Sequence, residues 1–204
     1  MGVSPAARVA VFASGGGTNL EALLEALDPH PKAEIALVVS DRDGAFALER
    51  AARRGVDTAI VTHDDGESII ALLEGHAIDW VVLAGYLRII PPAVVQRYRG
   101  RMLNIHPALL PKFGGAGMYG ERVHTAVLEA GETESGATVH LVDEVYDHGP
   151  IVAQRKVKVE PKDTPERLAA RVLEVEHELL PEVVIAAAEG RIRTSGDRAW
   201  IADE

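Results

Sequence analysis

Short apolar runs alternate with helical patterns through the first half of the chain. Val9–Ala13, Ile35–Ser40, Asp57–Thr62, Trp80–Leu83 and Arg101–His106 read as strands. Between them, Asn19–Leu27, Phe46–Arg54, Ser68–Gly75 and Pro91–Tyr98 read as helices. In the first helix Leu20, Leu23, Leu24 and Leu27 fall on one face. Near-continuous apolar strands alternating with amphipathic helices predict a parallel sheet covered on both faces. The second half changes character. Thr138–Val142 and Ile151–Val159 alternate with period two, which predicts an antiparallel extension of the same sheet. Thr164–Glu189 is a long helical stretch with Thr164 as N-cap and Pro165 in the first turn, and Pro181 is expected to kink or split it. Arg191–Glu204 reads as a polar tail, with a short strand around Ile192. No repeat or linker divides the chain. The expectation is one α/β domain over 1–204, with a core at about 8–190 and the tail at 191–204.

Composition narrows the function. A chain of 204 residues buries roughly 70% of its unfolded surface and needs no staple. The absence of Cys excludes disulfides, thiolate metal sites and Cys nucleophiles. With 21 Lys+Arg against 31 Asp+Glu, the net charge of −10 argues against a nucleic-acid partner, but not against a local pocket for one small anion. No apolar run approaches the roughly 20 residues of a membrane span. Met1–Arg8 lacks the basic-then-apolar order of a signal peptide. A cytoplasmic protein with no membrane contact is expected.

Two segments carry chemistry. Ser14-Gly15-Gly16-Gly17-Thr18-Asn19 lies between the first strand and the first helix. Glycines let backbone N–H groups approach an anion, and a helix N-terminus adds favourable partial charge. No Gly-Lys-Ser/Thr follows, and Leu20 stands where a dinucleotide fingerprint wants a third small residue, so a monophosphate cradle fits best. A glycine-rich turn without a ligand is the plain alternative. Further on, Asn104 and His106 sit two apart on a strand that Pro107 ends, so both point to one face. An acid/base His beside an amide donor suits a reaction in which a carbonyl oxygen gains charge. A carboxylate such as Asp147, in the turn Asp147-His148-Gly149-Pro150, would raise the pKa of that His.

These segments occur in a fixed order: Ser-Gly-Gly-Gly-Thr-Asn-Leu within Val11–Leu24, VLAGYLRII at Val82–Ile90, Asn104–Pro111, and Ser135–Gly149. The set resembles the phosphoribosylglycinamide formyltransferases, from about Arg8 to Trp200. The resemblance implies a Rossmann-like single domain and transfer of a formyl group from 10-formyltetrahydrofolate to the amine of glycinamide ribonucleotide, in purine biosynthesis. It implies Asn104, His106 and Asp147 as the catalytic trio. It implies Gly15, Gly16, Gly17, Thr18 and Asn19 as the phosphate loop, with Glu176 on the glycinamide part. It assigns Leu87, Arg88, Ile89 and Ile90 to the folate, together with Asn104 and the loop Asp143, Glu144, Val145, Tyr146 and Asp147. In this scheme Asp147 keeps His106 charged and no metal takes part. The partners are the two small molecules, and the chain is a monomer or homodimer.

Three features depart from the family pattern. Phe113–Gly120 is longer and richer in Gly than the usual turn, and Met118 or Tyr119 is placed to line the site. His63–Glu67 is acidic where a basic residue is usual, so no residue is carried over there. Ala108 replaces the usual Ser. Most of the remaining His residues read as surface or structural, with a supporting role open for His124 and His140. The alternatives are a formyltetrahydrofolate deformylase, which usually carries an extra N-terminal domain, and a non-catalytic ligand-binding module on the same fold. A tRNA-directed formyltransferase would need a further C-terminal domain and a more basic chain.

Overall fold

The computed structural model describes residues 5–203; Met1–Ser4 and Glu204 of the expected domain and tail lie outside the described residues. In chain order the elements are β1 (Ala7–Phe12), α1 (Thr18–Ala26), β2 (Ala33–Ser40), α2 (Phe46–Arg53), β3 (Asp57–Ile60), α3 (Gly66–Gly75), β4 (Trp80–Leu83), α4 (Pro92–Arg97) and β5 (Met102–His106). They continue with α5 (Glu121–Glu129), β6 (Glu134–Leu141), β7 (Ile151–Lys158), α6 (Pro165–Ala188), β8 (Ile192–Ser195) and β9 (Arg198–Ile201).

Seven strands form one sheet in the order β3-β2-β1-β4-β5-β6-β7. β1 to β5 pair in parallel, and β6 and β7 add antiparallel, as the period-two pattern predicted. Alternation along β1 shows why its sequence is apolar throughout. Val9 and Val11 enter a core with Leu20, Leu23, Leu168 and Leu180 from α1 and α6. Ala10 and Phe12 enter a second core with Ile69, Leu73 and Val94 from α3 and α4. Both sheet faces are therefore covered. Each fully buried Leu or Phe contributes roughly 1.5–3 kcal/mol.

Strand order reverses between β1 and β4, the switch point where open sheets bind ligands beyond the carboxyl ends of their strands. The glycine loop follows β1 and the Gly85–Ile90 segment follows β4, so the two lie side by side. Ser14 joins them: its N–H donates to the Gly85 carbonyl at 3.0 Å and its Oγ accepts from the Leu87 N–H at 2.9 Å.

Three elements differ from the sequence reading. α5 is present although no helix was expected after the Gly-rich stretch; it buries Val123, His124 and Val127. α6 runs unbroken through Pro181, which is buried on its inner face among Leu179, Leu180, Val183 and Val184. Pro removes one intrahelical hydrogen bond, and packing on that face holds the helix together. The tail is a hairpin rather than a short strand: Ser195 pairs with Arg198 across a two-residue turn that begins at Gly196, φ 58°. The Gly-Asp pair is the turn chemistry that a polar tail concealed.

Candidate active site

A cleft beyond the carboxyl ends of β4 and β5 has a volume of about 620 Å³. Its walls are Tyr86–Ile90 after β4, the Gly115–Gly120 loop and Glu121 at the start of α5, the Val145–Asp147 loop after β6, and one face of α6 carrying Glu166, Ala169, Leu173 and Glu176. Asn104, His106, His124 and His140 also line it.

β5 delivers Asn104 and His106 at its carboxyl end, on the cleft side of the sheet. The antiparallel pairing of β5 with β6 sets His140 opposite Asn104. Asn104 Nδ2 lies 3.0 Å from His140 Nε2 and donates to Asp147 Oδ1 at 3.2 Å. His140 Nδ1 faces the Leu141 carbonyl at 2.9 Å. A carbonyl only accepts, so a neutral His140 carries its proton on Nδ1 and accepts from Asn104 through Nε2. The His106 ring sits between two acceptors. Nε2 is 2.8 Å from the Phe113 carbonyl, and Nδ1 is 3.5 Å from Asp147 Oδ2.

The electrostatics correct one expectation. Burial pushes the pKa of His106 down. The Asp147 carboxylate and the Phe113 carbonyl raise it, His140 lowers it further, and burial prevails. The ring is therefore poised toward neutral imidazole rather than held charged. Burial also works to raise the pKa of Asp147, but His140, His106 and the Gly115 N–H outweigh it. Asp147 is thus ionised, with Oδ2 accepting from Gly115 at 2.9 Å. Its backbone lies at φ 52°, an uncommon conformation for a residue with a side chain. Gly149, two residues on, has no room for a Cβ, which would strike the Leu141 carbonyl.

The glycine loop presents free amides. Among the described residues, no backbone N–H from Gly15 to Leu20 donates a hydrogen bond, and no side chain caps α1. Thr18 and Asn19 line the cleft, whereas Gly15 and Gly16 border a more open depression with Ser14, Asp41 and Arg42. Asn19 Nδ2 donates to Glu176 Oε2 at 3.4 Å. Glu176 is buried, and burial raises its pKa to about 7 against the single opposing contact from Asn19.

In the folate-assigned segments, Leu87, Arg88, Ile89 and Ile90 all line the cleft, as do Asp143, Val145, Tyr146 and Asp147. Glu144 does not; it pairs with Arg99 at 2.9 Å. Arg88 Nε is drawn to Asp41 at 3.1 Å, leaving part of its guanidinium exposed at the rim. Met118 and Tyr119 line the cleft as expected. In the acidic stretch before α3, Asp65 caps that helix by accepting from the Ser68 N–H at 3.0 Å. Reading the sequence did not assign His124 or the α6 positions Glu166, Ala169 and Leu173 to the cleft. The spacing of 166, 169, 173 and 176 on one helical stretch was the available signal. Among the described residues, no group of three or more His, Asp or Glu side chains is arranged to hold a metal ion. No helix there is long and apolar enough to cross a membrane.

An amide donor, a buried imidazole and an ionised carboxylate are set beside a loop of free amides on a doubly wound sheet, an arrangement that suits an enzyme acting on a carbonyl carbon. Residues 7–184 match the formyl transferase family. A chloroplastic phosphoribosylglycinamide formyltransferase of Arabidopsis thaliana is 44% identical over 199 residues, covering 93% of this chain and 68% of the plant protein. Glycinamide ribonucleotide transformylase 1 of Symbiobacterium toebii superposes with a TM-score of 0.90 at 37% identity, covering 98% of this chain and 96% of that one. A formyltetrahydrofolate deformylase of Pseudomonas syringae gives a TM-score of 0.88 at 26% identity, with 98% of this chain and 67% of that one covered. The chain belongs to the phosphoribosylglycinamide formyltransferase family.

Proposed function

We propose that this protein transfers the formyl group of 10-formyltetrahydrofolate to the amine of glycinamide ribonucleotide, with Asn104, His106 and Asp147 as the reacting-centre residues. The convergence of these three at the cleft wall, with Asn104 within hydrogen-bond distance and His106 within ion-pair distance of Asp147, carries the reading. The cleft suits the folate: Leu87, Ile89, Ile90, Val142 and Val145 offer apolar walls for a flat heteroaromatic ring. The folate supplies the formyl carbon. The ribonucleotide phosphate sits on the free amides of Gly15 to Asn19, with Glu176 beside the glycinamide.

Asn104 donates to the formyl oxygen as that oxygen gains negative charge, exchanging one of its present contacts with His140 or Asp147 for it. Losing such a donor typically costs about 10²–10³ in rate. His106, neutral at rest, takes the proton that the attacking amine releases. Asp147 stabilises the resulting imidazolium as an ion pair. As the new C–N bond completes and the old one breaks, His106 returns the proton to the departing folate nitrogen. Protons and charge balance across the step.

The test mixes purified protein with 10-formyltetrahydrofolate, with and without glycinamide ribonucleotide. Folate turnover only in the presence of the ribonucleotide supports transfer. Turnover without it identifies a deformylase. No turnover in either arm leaves a binding module.

A further inference from the structure

The glycine loop has its amides free because its carbonyls are held from behind. In a trans peptide the C=O of one residue and the N–H of the next point in opposite directions. The Gly15 carbonyl accepts from the Ala47 N–H at 3.1 Å, so the Gly16 N–H is turned away from α2. The Gly16 carbonyl accepts from Arg50 Nε at 2.8 Å, so the Gly17 N–H is turned away likewise. The first of these contacts is made by backbone and survives any side-chain change. The second depends on one guanidinium.

That guanidinium is itself fixed on three sides. Arg50 Nη1 donates to Glu21 Oε2 at 2.8 Å, in the first turn of α1. Its Cζ lies 5.0 Å from the centre of the Phe46 ring. Glu21 is shared with Arg54 at 2.7 Å, and the hydrogen bond from Arg50 is the main reason its carboxyl stays below the ordinary range. Arg50 therefore ties the loop, the start of α1 and α2 together. It lines neither the cleft nor the depression beside it.

We infer that Arg50 is a positioning residue for the anion loop: by holding the Gly16 carbonyl it aims the Gly17 amide at the ribonucleotide phosphate. The inference rests on the phosphate-loop reading above. Without this contact the Gly16–Gly17 peptide can rotate, and an amide that must reorder on binding contributes less affinity.

The test compares wild type with Arg50→Met, which keeps an apolar stem near Phe46, and with Arg50→Lys, which keeps the positive charge on one donor nitrogen. Glycinamide ribonucleotide and inorganic phosphate are titrated by calorimetry, and KM and kcat are measured for both substrates. The expected result for Arg50→Met is a rise of about tenfold in Kd for both phosphate ligands and in the ribonucleotide KM, the size of one lost charge-assisted hydrogen bond. The folate KM and kcat should stay within about twofold, and Arg50→Lys should lie between. A merely structural role would lower Tm and disturb both substrates alike, and that result overturns the inference. Should Arg50→Met fail to fold, Arg50→Lys carries the same test, since with one donor nitrogen in place of the guanidinium fork it should still raise the ribonucleotide KM more than the folate KM. Wild-type protein that binds no ribonucleotide overturns the loop reading and this inference with it. Wild-type binding that Arg50→Met leaves unchanged overturns this inference alone.

Discussion

His106 Nε2 stands 2.8 Å from the carbonyl oxygen of Phe113, a residue held at φ 57°. Two residues on, the Gly115 N–H donates to Asp147 Oδ2 at 2.9 Å. One short turn thus fixes both members of the acid–base pair and decides which ring nitrogen carries the proton at rest. Removing either member should be costly. His106→Ala and Asp147→Asn are each expected to lower kcat by at least about 10², the usual scale for a positioned proton-transfer group. Steady-state rates check this, and a near-wild-type rate in either variant contradicts the roles assigned.

The same geometry sets a pH dependence. Burial holds His106 below its ordinary pKa of 6.5, while Asp147 works the other way. If the neutral ring is the acting base, the acid limb of the kcat profile falls below pH 6.5. Replacing Asp147 by Asn removes the group that raises the pKa, so the residual activity should show an acid limb displaced further down. Profiles recorded from pH 5 to 9 decide it. Activity that instead falls as pH rises through the His106 pKa would mean that His106 works as the imidazolium.

Glu176 ties pH to stability. Its folded pKa is raised from 4.5 to about 7, mainly by burial. The folded state therefore holds a proton that the unfolded chain releases. Stability falls as pH rises through this window and levels off above it, at a cost of roughly 3 kcal/mol. Glu176→Gln should remove the penalty, raising Tm relative to wild type above pH 7 and leaving it nearly unchanged at pH 4.5. The same variant should weaken ribonucleotide binding. Parallel Tm curves for the two proteins across the window would discount the buried carboxyl.

The parts of this site that were legible in the sequence are the local ones. Asn104 and His106 share a face because a strand has period two, and the glycine loop announces itself at a strand end. A supporting role for His140 was open in the sequence, but its partner was not legible. It depends on β6 pairing with β5 so that His140 lies opposite Asn104, a contact between residues far apart in the chain. Burial sets the direction of the His106 pKa shift, and burial is a property of the assembled fold rather than of neighbouring residues. α5 was hidden because its N-cap is Gly120, at the end of a glycine-rich stretch. Pro181 does not split α6, since a helix packed along a core tolerates a break in its hydrogen-bond ladder.

The His140 contact yields its own prediction. With the ring proton on Nδ1, Nε2 is the acceptor that holds one hydrogen of the Asn104 amide. His140→Leu removes the acceptor and leaves the amide free to turn, whereas His140→Gln keeps an oxygen able to accept. The expected result is a loss of about tenfold in kcat for the Leu variant, on the scale of one hydrogen bond, and partial recovery for Gln. Equal rates in the two variants would show that His140 acts by filling space.

Gly17 separates fold from site most sharply. It sits at φ 69°, where a side chain costs about 1 kcal/mol, and a Cβ there would lie 2.8 Å from the Ala47 Cβ and 2.9 Å from the Ala47 Cα. Overpacking of this kind costs a further 1–3 kcal/mol or so. Gly15 differs in both respects: its φ is unremarkable for an L-residue and a Cβ meets nothing within 4 Å. Gly17→Ala is therefore expected to lower Tm by several degrees and to raise the ribonucleotide KM, because the loop must shift to relieve the contact. Gly15→Ala should leave Tm unchanged, so any rise in its ribonucleotide KM reports on approach to the amides alone. The folate KM is the control in both, since the Leu87–Ile90 wall is held through Ser14 rather than through either glycine. A folate KM that rises in step with the ribonucleotide KM in Gly15→Ala would remove the phosphate from this loop.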